Sequence, residues 1–260
     1  MHESERHRLI LSVLNERAMA TVRELVELTE SSEATVRRDI GALDRQRKLR
    51  RLRGGAEAVE TAAPPPLAGR SFALDKGLNV RRKRAIARRA VAMCADGDSI
   101  IINGGTTTFQ MVHFLATRTL QVLTNSFPIA AHLLQHSRST VIVPAGTVYR
   151  EQNIILSPFA NDGSRHFSAR RMFMGAHGVG TQGVTETDPL LIQAEEKLIG
   201  QAEELVLLVD SSKFLRQSSL VLCSLDRVAT VITDDGVSRE SRALVEAAGL
   251  ELVVVPGLDG

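Results

Sequence analysis

Five short polar stretches carry the residue types best suited to chemistry, and each follows an apolar run. They are Asn103-Gly104-Gly105-Thr106-Thr107-Thr108, Thr124-Asn125-Ser126, Ala145-Gly146, Gly175-Ala176-His177-Gly178 and Asp210-Ser211-Ser212-Lys213. Glycines let a backbone approach a ligand closely, and hydroxyls and amides at the start of a helix suit a phosphate. Asp210 and Lys213 add a carboxylate and an ammonium at one strand end. Gly and Ser also form tight turns after strands, so each stretch alone is equally a turn. Five of them at successive strand ends form a pattern that a small anionic ligand would explain.

A second concentration of chemistry lies in Ser31–Arg53. Eight of the seventeen residues from Arg37 to Arg53 are Lys or Arg, opposed only by Asp39 and Asp44, so this segment carries +6 while the whole 260-residue chain carries +2. Dense positive charge on a short helix, turn and strand is what a duplex phosphate backbone requires. Ser32, Thr35, Arg37 and Arg38 are the candidates for the groove, and Arg50, Arg51 and Arg53 for the phosphates beside it. A solvated basic face or a protein-interaction module would carry the same charge.

The elements that must position these residues follow from periodicity. Leu9, Ile10, Val13 and Leu14 predict an amphipathic helix over Glu5–Glu16. Thr21 is a suitable N-cap for a helix over Val22–Leu28, and Ser31 or Ser32 for a third helix with Val36, Ile40 and Leu43 as its buried stripe. Two short helices joined by a polar turn, the second basic near its start, form a helix-turn-helix. Leu49–Leu52 reads as a strand and Gly54-Gly55 as a turn, which together make a wing. Pro64-Pro65-Pro66 excludes helix and central strand, so residues 57–70 read as an extended linker between a domain at 1–56 and another at 71–260.

In the second domain, apolar runs alternate with helical patterns. The runs are Ser99–Asn103, Leu120–Thr124, Thr140–Pro144, Arg171–Met174, Glu204–Val209, Ala229–Thr233 and Glu251–Val255. Helical patterns cover Arg81–Cys94, Thr107–Ala116, Pro128–His136, Leu190–Glu203 and Arg239–Ala248. Strands apolar on both faces belong in a mostly parallel sheet covered by helices, so the fold class is α/β. Ligands in such sheets bind beyond the carboxyl ends of the strands.

Composition narrows the field. No Trp and one Tyr argue against base-stacking recognition of single strands. Cys94 and Cys223 lie in apolar contexts and read as buried thiols of a reducing compartment. A polar N-terminus and the absence of a long apolar run point to a cytoplasmic protein without a membrane partner. Arg81-Arg82-Lys83-Arg84 reads first as a solvated helix face, although Lys83 could reach an anion, and Glu195, Glu196 and Lys197 read as surface ion pairs of which one could turn inward. No catalytic triad, nucleotide fingerprint or metal-ligand spacing stands out, so no cofactor or metal is expected. A sugar-phosphate isomerase with a fused accessory domain is the enzymatic alternative; its only candidate bases are Glu195, Asp210 and His177.

The stretch from Ser31 to Ala56 resembles the winged helix-turn-helix signature of the DeoR family of bacterial sugar-metabolism regulators. The matching residues are Ser32, Glu33, Ala34, Thr35, Val36, Arg37, Arg38, Asp39, Leu43, Arg51, Gly54, Gly55 and Ala56. Arg47 stands where that family usually has Gly at the helix end, and Arg53 where it usually has His. NGGTTT, VLTNS, VPAG, MGAHG, the EEK of a helix and VDSSKF are similar, in the same order, to that family's effector domain. That domain resembles the fold of ribose-5-phosphate isomerase.

The resemblance implies a repressor that binds double-stranded operator DNA as a homo-oligomer and is released by a phosphorylated sugar. It implies that Gly105, Thr106 and Thr107 hold the phosphate, within the loop Asn103–Thr108. Asn125, Gly146, Gly175, Glu195, Asp210 and Lys213 would line the pocket. Asn103, where most members have Asp, together with IIIN, ILSP and MGAHG, resembles the branch that regulates ascorbate utilisation. That branch implies ascorbate 6-phosphate as effector.

Overall fold

The computed structural model describes residues 2–17, 19–58 and 72–257. It divides into two compact units, Met1–Leu78 and Asn79–Gly260.

The first unit opens with α1 (Glu3–Arg17), β1 (Met19–Thr21), α2 (Val22–Thr29) and α3 (Glu33–Arg45). The wing strands β2 (Leu49–Leu52) and β3 (Gly55–Ala58) follow, then a short α4 (Phe72–Asp75). Thr21 caps α2 with a full capping box: its Oγ1 accepts the Glu24 amide and Glu24 reaches back to the Thr21 amide. Ser32, rather than Ser31, caps α3 through the Thr35 amide. Val36, Ile40 and Leu43 are buried as the spacing predicts, against Ile10, Val13, Leu14 and Leu25. The sheet has one strand more than the wing, since β1 pairs antiparallel with β3.

Only part of the expected linker can be placed. Glu57 and Ala58 extend β3 and pair with Arg50 and Leu49, so the ladder runs past residue 56. Residues 59–71, with the three prolines, lie outside the described residues. The division falls at 78/79 because α4 packs on α1.

The second unit contains α5 (Val80–Val91), β4 (Ser99–Ile102), α6 (Thr106–Phe109), β5 (Gln121–Leu123), α7 (Phe127–His136), β6 (Thr140–Ile142), β7 (Thr147–Tyr149) and β8 (Ile154–Leu156). It continues through β9 (Ala169–Met174), β10 (Gly178–Gly180), β11 (Gly183–Glu186), α8 (Pro189–Ile199), β12 (Ala202–Leu208), β13 (Leu220–Cys223), β14 (Thr230–Asp234), α9 (Arg239–Ala247) and β15 (Glu251–Val255). All seven apolar runs become strands of one parallel sheet, in the order β15-β14-β12-β9-β4-β5-β6. Ile100, Ile101, Ile102, Phe173, Val206, Leu207 and Leu208 are all at most 1% exposed, as strands covered on both faces must be.

Three helices end at least three residues earlier than their patterns suggest, the first being α5, which stops at Val91 rather than Cys94. The helix expected over Thr107–Ala116 is α6 followed by a 3₁₀ turn at Gln110–His113. The helix expected to reach Glu203 stops at Ile199, where Gly200 caps it, and Ala202 already begins β12. The hairpin β7–β8 and the antiparallel set β10-β11-β13 form two further small sheets.

Candidate effector site and nucleic-acid interface

In the large sheet, β5 and β6 lie on one side of β4, and β9, β12, β14 and β15 lie on the other. Chain direction across the sheet therefore reverses between β4 and β9, which is where a parallel sheet opens a crevice at its carboxyl end. Asn103 and Gly175 flank that point.

Asn103 is 1% exposed. Its Nδ2 donates to Glu195 Oε1 at 2.7 Å and its Oδ1 accepts the Gly175 amide at 3.2 Å. One side chain thus joins the ends of β4 and β9 to α8. Next to it, the Gly104 amide donates to Asn125 Oδ1 at 2.8 Å, which ties in the end of β5. A Cβ at Gly104 would lie 2.6 Å from Ile154 Cγ1, so any larger residue there would have to displace that side chain.

Basic groups from α5 complete the site. Lys83 is 2% exposed, and its Nζ donates to Thr106 Oγ1 at 2.9 Å. This corrects the solvated-face reading of the Arg81–Arg84 run. Arg81 and Arg84 are exposed, but Lys83 shares a face with the buried Ile86, Ala87 and Ala90. Arg82 donates to Ser211 Oγ at 3.2 Å and lies 3.6 Å from the buried Asp234. Asn79 Nδ2 donates to Asp210 Oδ1 at 3.2 Å. Asp210 also accepts the Ser212 amide and hydroxyl. Burial pushes its carboxyl up, but Ser212, Lys213 and Lys83 outweigh that and hold it below the usual range.

Glu195 is the inward-turning member of its group: it is 3% exposed, whereas Glu196 is exposed. Lys197 serves a different purpose. Its Nζ donates to the Ser157 and Phe159 carbonyls, each at 3.1 Å, and lies 3.7 Å from Asp162. It thereby holds the loop after β8 over a small cavity lined by Asn125, Ser157, Asp162, Ser164 and Lys197.

Glu186, at the end of β11, escaped the sequence reading. It is 7% exposed and accepts the His177 amide at 2.9 Å. Burial drives its carboxyl up to about 7, against the pull of Lys213 and of the His177 and Thr187 amides. Burial and the neighbouring Glu186 push Glu195 well above the usual range, opposed by the bond from Asn103.

Two expected ligand contacts have internal roles. Thr108 is fully buried, and its hydroxyl donates to the Asn103 and Gly105 carbonyls at 2.9 and 3.0 Å, so it braces the loop. Gly146 lies against the Leu156 carbonyl, where a Cβ would collide, so it closes the base of the β7–β8 hairpin. Gly105 N-caps α6 with extended backbone, and Thr107 is 4% exposed.

In the first unit, Arg37, Arg38, Arg51 and Arg53 are all exposed. Arg37 is paired with Glu33, its Nη2 2.6 Å from Oε1. Arg50 is paired with Glu57 across the wing. Arg38 makes no ion pair among the described residues. Thr35 Oγ1 is 2.8 Å from Ser32 Oγ, within the helix cap.

Asp39 turns the other way and is 3% exposed. Arg6 of α1 holds both of its oxygens, at 2.7 and 3.2 Å, and His7 Nε2 lies 3.1 Å from Oδ1. Glu3 joins this group and gives it the make-up of a metal site, but the Arg6 fork already takes up Asp39. Arg47 adopts the left-handed conformation, φ 55°, that Gly would take without strain. The helix still closes in a Schellman motif, with Lys48 N bonded to Leu43 O and Arg47 N to Asp44 O.

The DeoR-like helix-turn-helix domain matches residues 6–62, and the DeoR C terminal sensor domain matches residues 78–235. The chain belongs to the DeoR family. Among its curated relatives is the HTH-type transcriptional regulator UlaR of Shigella dysenteriae serotype 1 (strain Sd197). It is 32% identical over 255 residues, spanning 98% of this chain and 100% of that protein. UlaR of Escherichia coli (strain K12 / DH10B) gives the same figures. Among solved structures, ribose 5-phosphate isomerase A from Methanocaldococcus jannaschii overlaps 50% of this DeoR-family chain and 52% of its own, with TM-score 0.38 and 20% identity. The eIF2B beta of Chaetomium thermophilum overlaps 61% and 51%, with TM-score 0.41 and 16% identity. No helix among the described residues is long and apolar enough to cross a membrane.

Proposed function

We propose that this DeoR-family regulator represses a sugar or sugar-acid utilisation operon and leaves its operator when a phosphorylated sugar binds the crevice between β4 and β9. Ascorbate 6-phosphate is the first candidate, on the likeness to UlaR across the whole chain. One observation carries the reading: buried polar groups from β4, β5, β9, α5 and α8 converge at the sheet's switch point, in a chain whose other unit presents a capped basic helix and wing.

Thr35, Arg37 and Arg38 enter the major groove, while Arg50, Arg51 and Arg53 meet phosphates. Lys83, Thr106 and Lys213 supply the cation and hydroxyl for the effector's phosphate. A homo-oligomer, dimer or tetramer, presents two or more recognition helices to repeated half-sites. The effector lowers DNA affinity to the extent that it prefers the conformation that does not bind DNA. The chain acts as a sensor and turns nothing over.

Fluorescence anisotropy with DNA from the promoter nearest the gene tests this. Tight binding at fixed salt that ascorbate 6-phosphate or another sugar phosphate reverses is the expected result. Binding no stronger than to random DNA across genomic fragments, with or without sugar phosphates, would overturn it, as would steady isomerisation of a sugar phosphate lost in Glu195→Gln.

A further inference from the structure

We propose that the outward face of α5 is a second contact for duplex DNA, in which Arg81, Arg84 and Arg88 hold phosphates beside the operator while the recognition helix and wing engage it. This rests on the first unit binding operator DNA, and it adds a surface of the sensor unit to that interface.

α5 contains six cations and no acid among its twelve residues, so it carries +6 in a chain of +2 overall. These cations divide between two faces. Lys83 is buried with Ile86, Ala87 and Ala90, and Arg82 is bound to Ser211 and Asp234. Arg81, Arg84 and Arg88 are exposed, and none makes a hydrogen bond or ion pair among the described residues. At about 3.6 residues per turn they fall within an arc of about 60°, and at a rise of about 1.5 Å per residue they span about 10 Å. One strand of a duplex presents about three phosphates over that axial length.

A solvated helix face is ordinarily supported by opposite charges at i, i+3 and i, i+4. Here both such pairs, Arg81 with Arg84 and Arg84 with Arg88, are repulsive. Arg81 also stands in the first turn, where the helix dipole disfavours a cation, and neither an acid nor a side-chain cap offsets it. The acids just past the helix are engaged elsewhere: Asp96 accepts the Thr119 amide and Asp98 the Ala95 amide. The stripe therefore works against its own helix, and an anion from outside relieves it.

The chemistry of the face selects the anion. Guanidinium groups hold phosphate oxygens through paired N–H donors. A helix built for a membrane surface would set bulky apolar or aromatic side chains beside its cations. The exposed residues of α5 are arginines alone, and its apolar side chains are spent on the sheet. Chain reach favours DNA as well. Residues 59–79, twenty-one in all, join the end of β3 to the start of α5. Fully extended they span at most about 75 Å. With the wing on its site, α5 is tethered within that distance of the same duplex, so contacts of modest strength suffice. Phosphates carry no sequence information, so the stripe adds affinity and salt dependence rather than preference.

Anisotropy titrations of the full chain at several salt concentrations, with DNA from the promoter nearest the gene, test this. The triple variant Arg81→Gln, Arg84→Gln, Arg88→Gln is expected to lose at least about tenfold in affinity. Its slope of log K against log salt should flatten by about 0.9 per arginine. Its preference for promoter over random DNA should stay within about threefold of wild type. Lysine at the same three positions keeps the charge and the slope. A control variant, Arg138→Gln, Arg170→Gln, Arg239→Gln, removes the same charge from three exposed arginines on separate parts of the chain and should keep the wild-type slope. Unchanged affinity and slope in the stripe variant, beside a loss in Arg37→Ala, Arg38→Ala, would overturn this proposal and leave the operator reading standing. Equal flattening in the control variant would also overturn it, because net charge would then account for the effect. Phosphatidylserine vesicles that capture the wild type but not the stripe variant, with DNA affinity unchanged, would assign the face to a membrane instead. No preference of the wild type for promoter over random DNA would remove the operator reading and this proposal with it. Circular dichroism melts of the stripe variant should match or exceed wild type, since repulsive pairs are removed. If it melts early, the three single variants decide, each expected to lower the slope by about 0.9.

Discussion

Asn103 Nδ2 lies 2.7 Å from Glu195 Oε1, joining the end of β4 to α8 beneath the crevice. The amide is the only polar contact of Glu195 with another side chain among the described residues, and both groups are buried. Asn103→Ala would remove that donor and leave both buried oxygens of Glu195 without a partner. We expect destabilisation of about 1–3 kcal/mol, read as a lower thermal midpoint at neutral pH. Unchanged stability at pH 7 would mean that the bond contributes nothing.

Glu186 makes stability depend on pH. Its carboxyl is raised from about 4.5 in the unfolded chain to about 7 when folded, with burial as the main cause. The folded state then binds more protons than the unfolded state between these values. Its contribution is fully present below about pH 4.5 and is lost as pH rises through about 7. The melting temperature of the full chain should fall across that window relative to Glu186→Gln, in which this dependence is flattened. Parallel curves for the two proteins would refute it.

Arg47 holds a left-handed conformation at the end of the recognition helix. That conformation costs a non-glycine residue about 1–2 kcal/mol, part of which glycine returns through its freer unfolded chain. Arg47→Gly is therefore expected to stabilise the first unit by about 0.5–1 kcal/mol. Chemical denaturation of the full chain, followed by circular dichroism, would show this as a higher midpoint.

Replacing Arg37 and Arg38 together with alanine should weaken operator binding and flatten its salt dependence. Each lost phosphate contact reduces the slope of log K against log salt by about 0.9. Base contacts instead cost about 1–3 kcal/mol and relax sequence preference. Anisotropy titrations at several salt concentrations separate the two contributions. Equal affinity and slope would exclude these arginines from the interface.

Lys83 is buried 2.9 Å from the Thr106 hydroxyl. Lys83→Met keeps much of its volume and removes the charge, so it should weaken sugar-phosphate binding by at least about tenfold, the cost of a charge-assisted hydrogen bond. Inorganic phosphate competing against a bound sugar phosphate should weaken in parallel. Full retention of both affinities would place the phosphate elsewhere.

Why some of this was legible in the sequence and some was not has a physical basis. The seven central strands were readable because a strand covered on both faces is apolar without interruption. The short strands β7, β8, β10, β11 and β13 lack that signature, since each is only three or four residues long and lies in a small antiparallel sheet rather than in the doubly covered one. Lys83 was readable in principle: it falls three, four and seven residues before Ile86, Ala87 and Ala90, on the buried stripe. Glu186 had no local signal, because its burial arises from β11 packing against α8 and β13. The bracing role of Thr108 leaves no sequence signal, because a hydroxyl bonded to its own loop looks, in sequence, like one offered to a ligand.

The clamp of Arg6 and His7 on Asp39 has a consequence for how such regulators diverge. A charged contact at Asp39 holds the inner side of α3, while Arg37 and Arg38, which we propose meet DNA, are exposed on its outer side. Substitutions at Thr35, Arg37 or Arg38 leave that contact intact. A duplicated copy of this gene can therefore drift to a new operator one outward residue at a time, without first losing the scaffold that aims the helix.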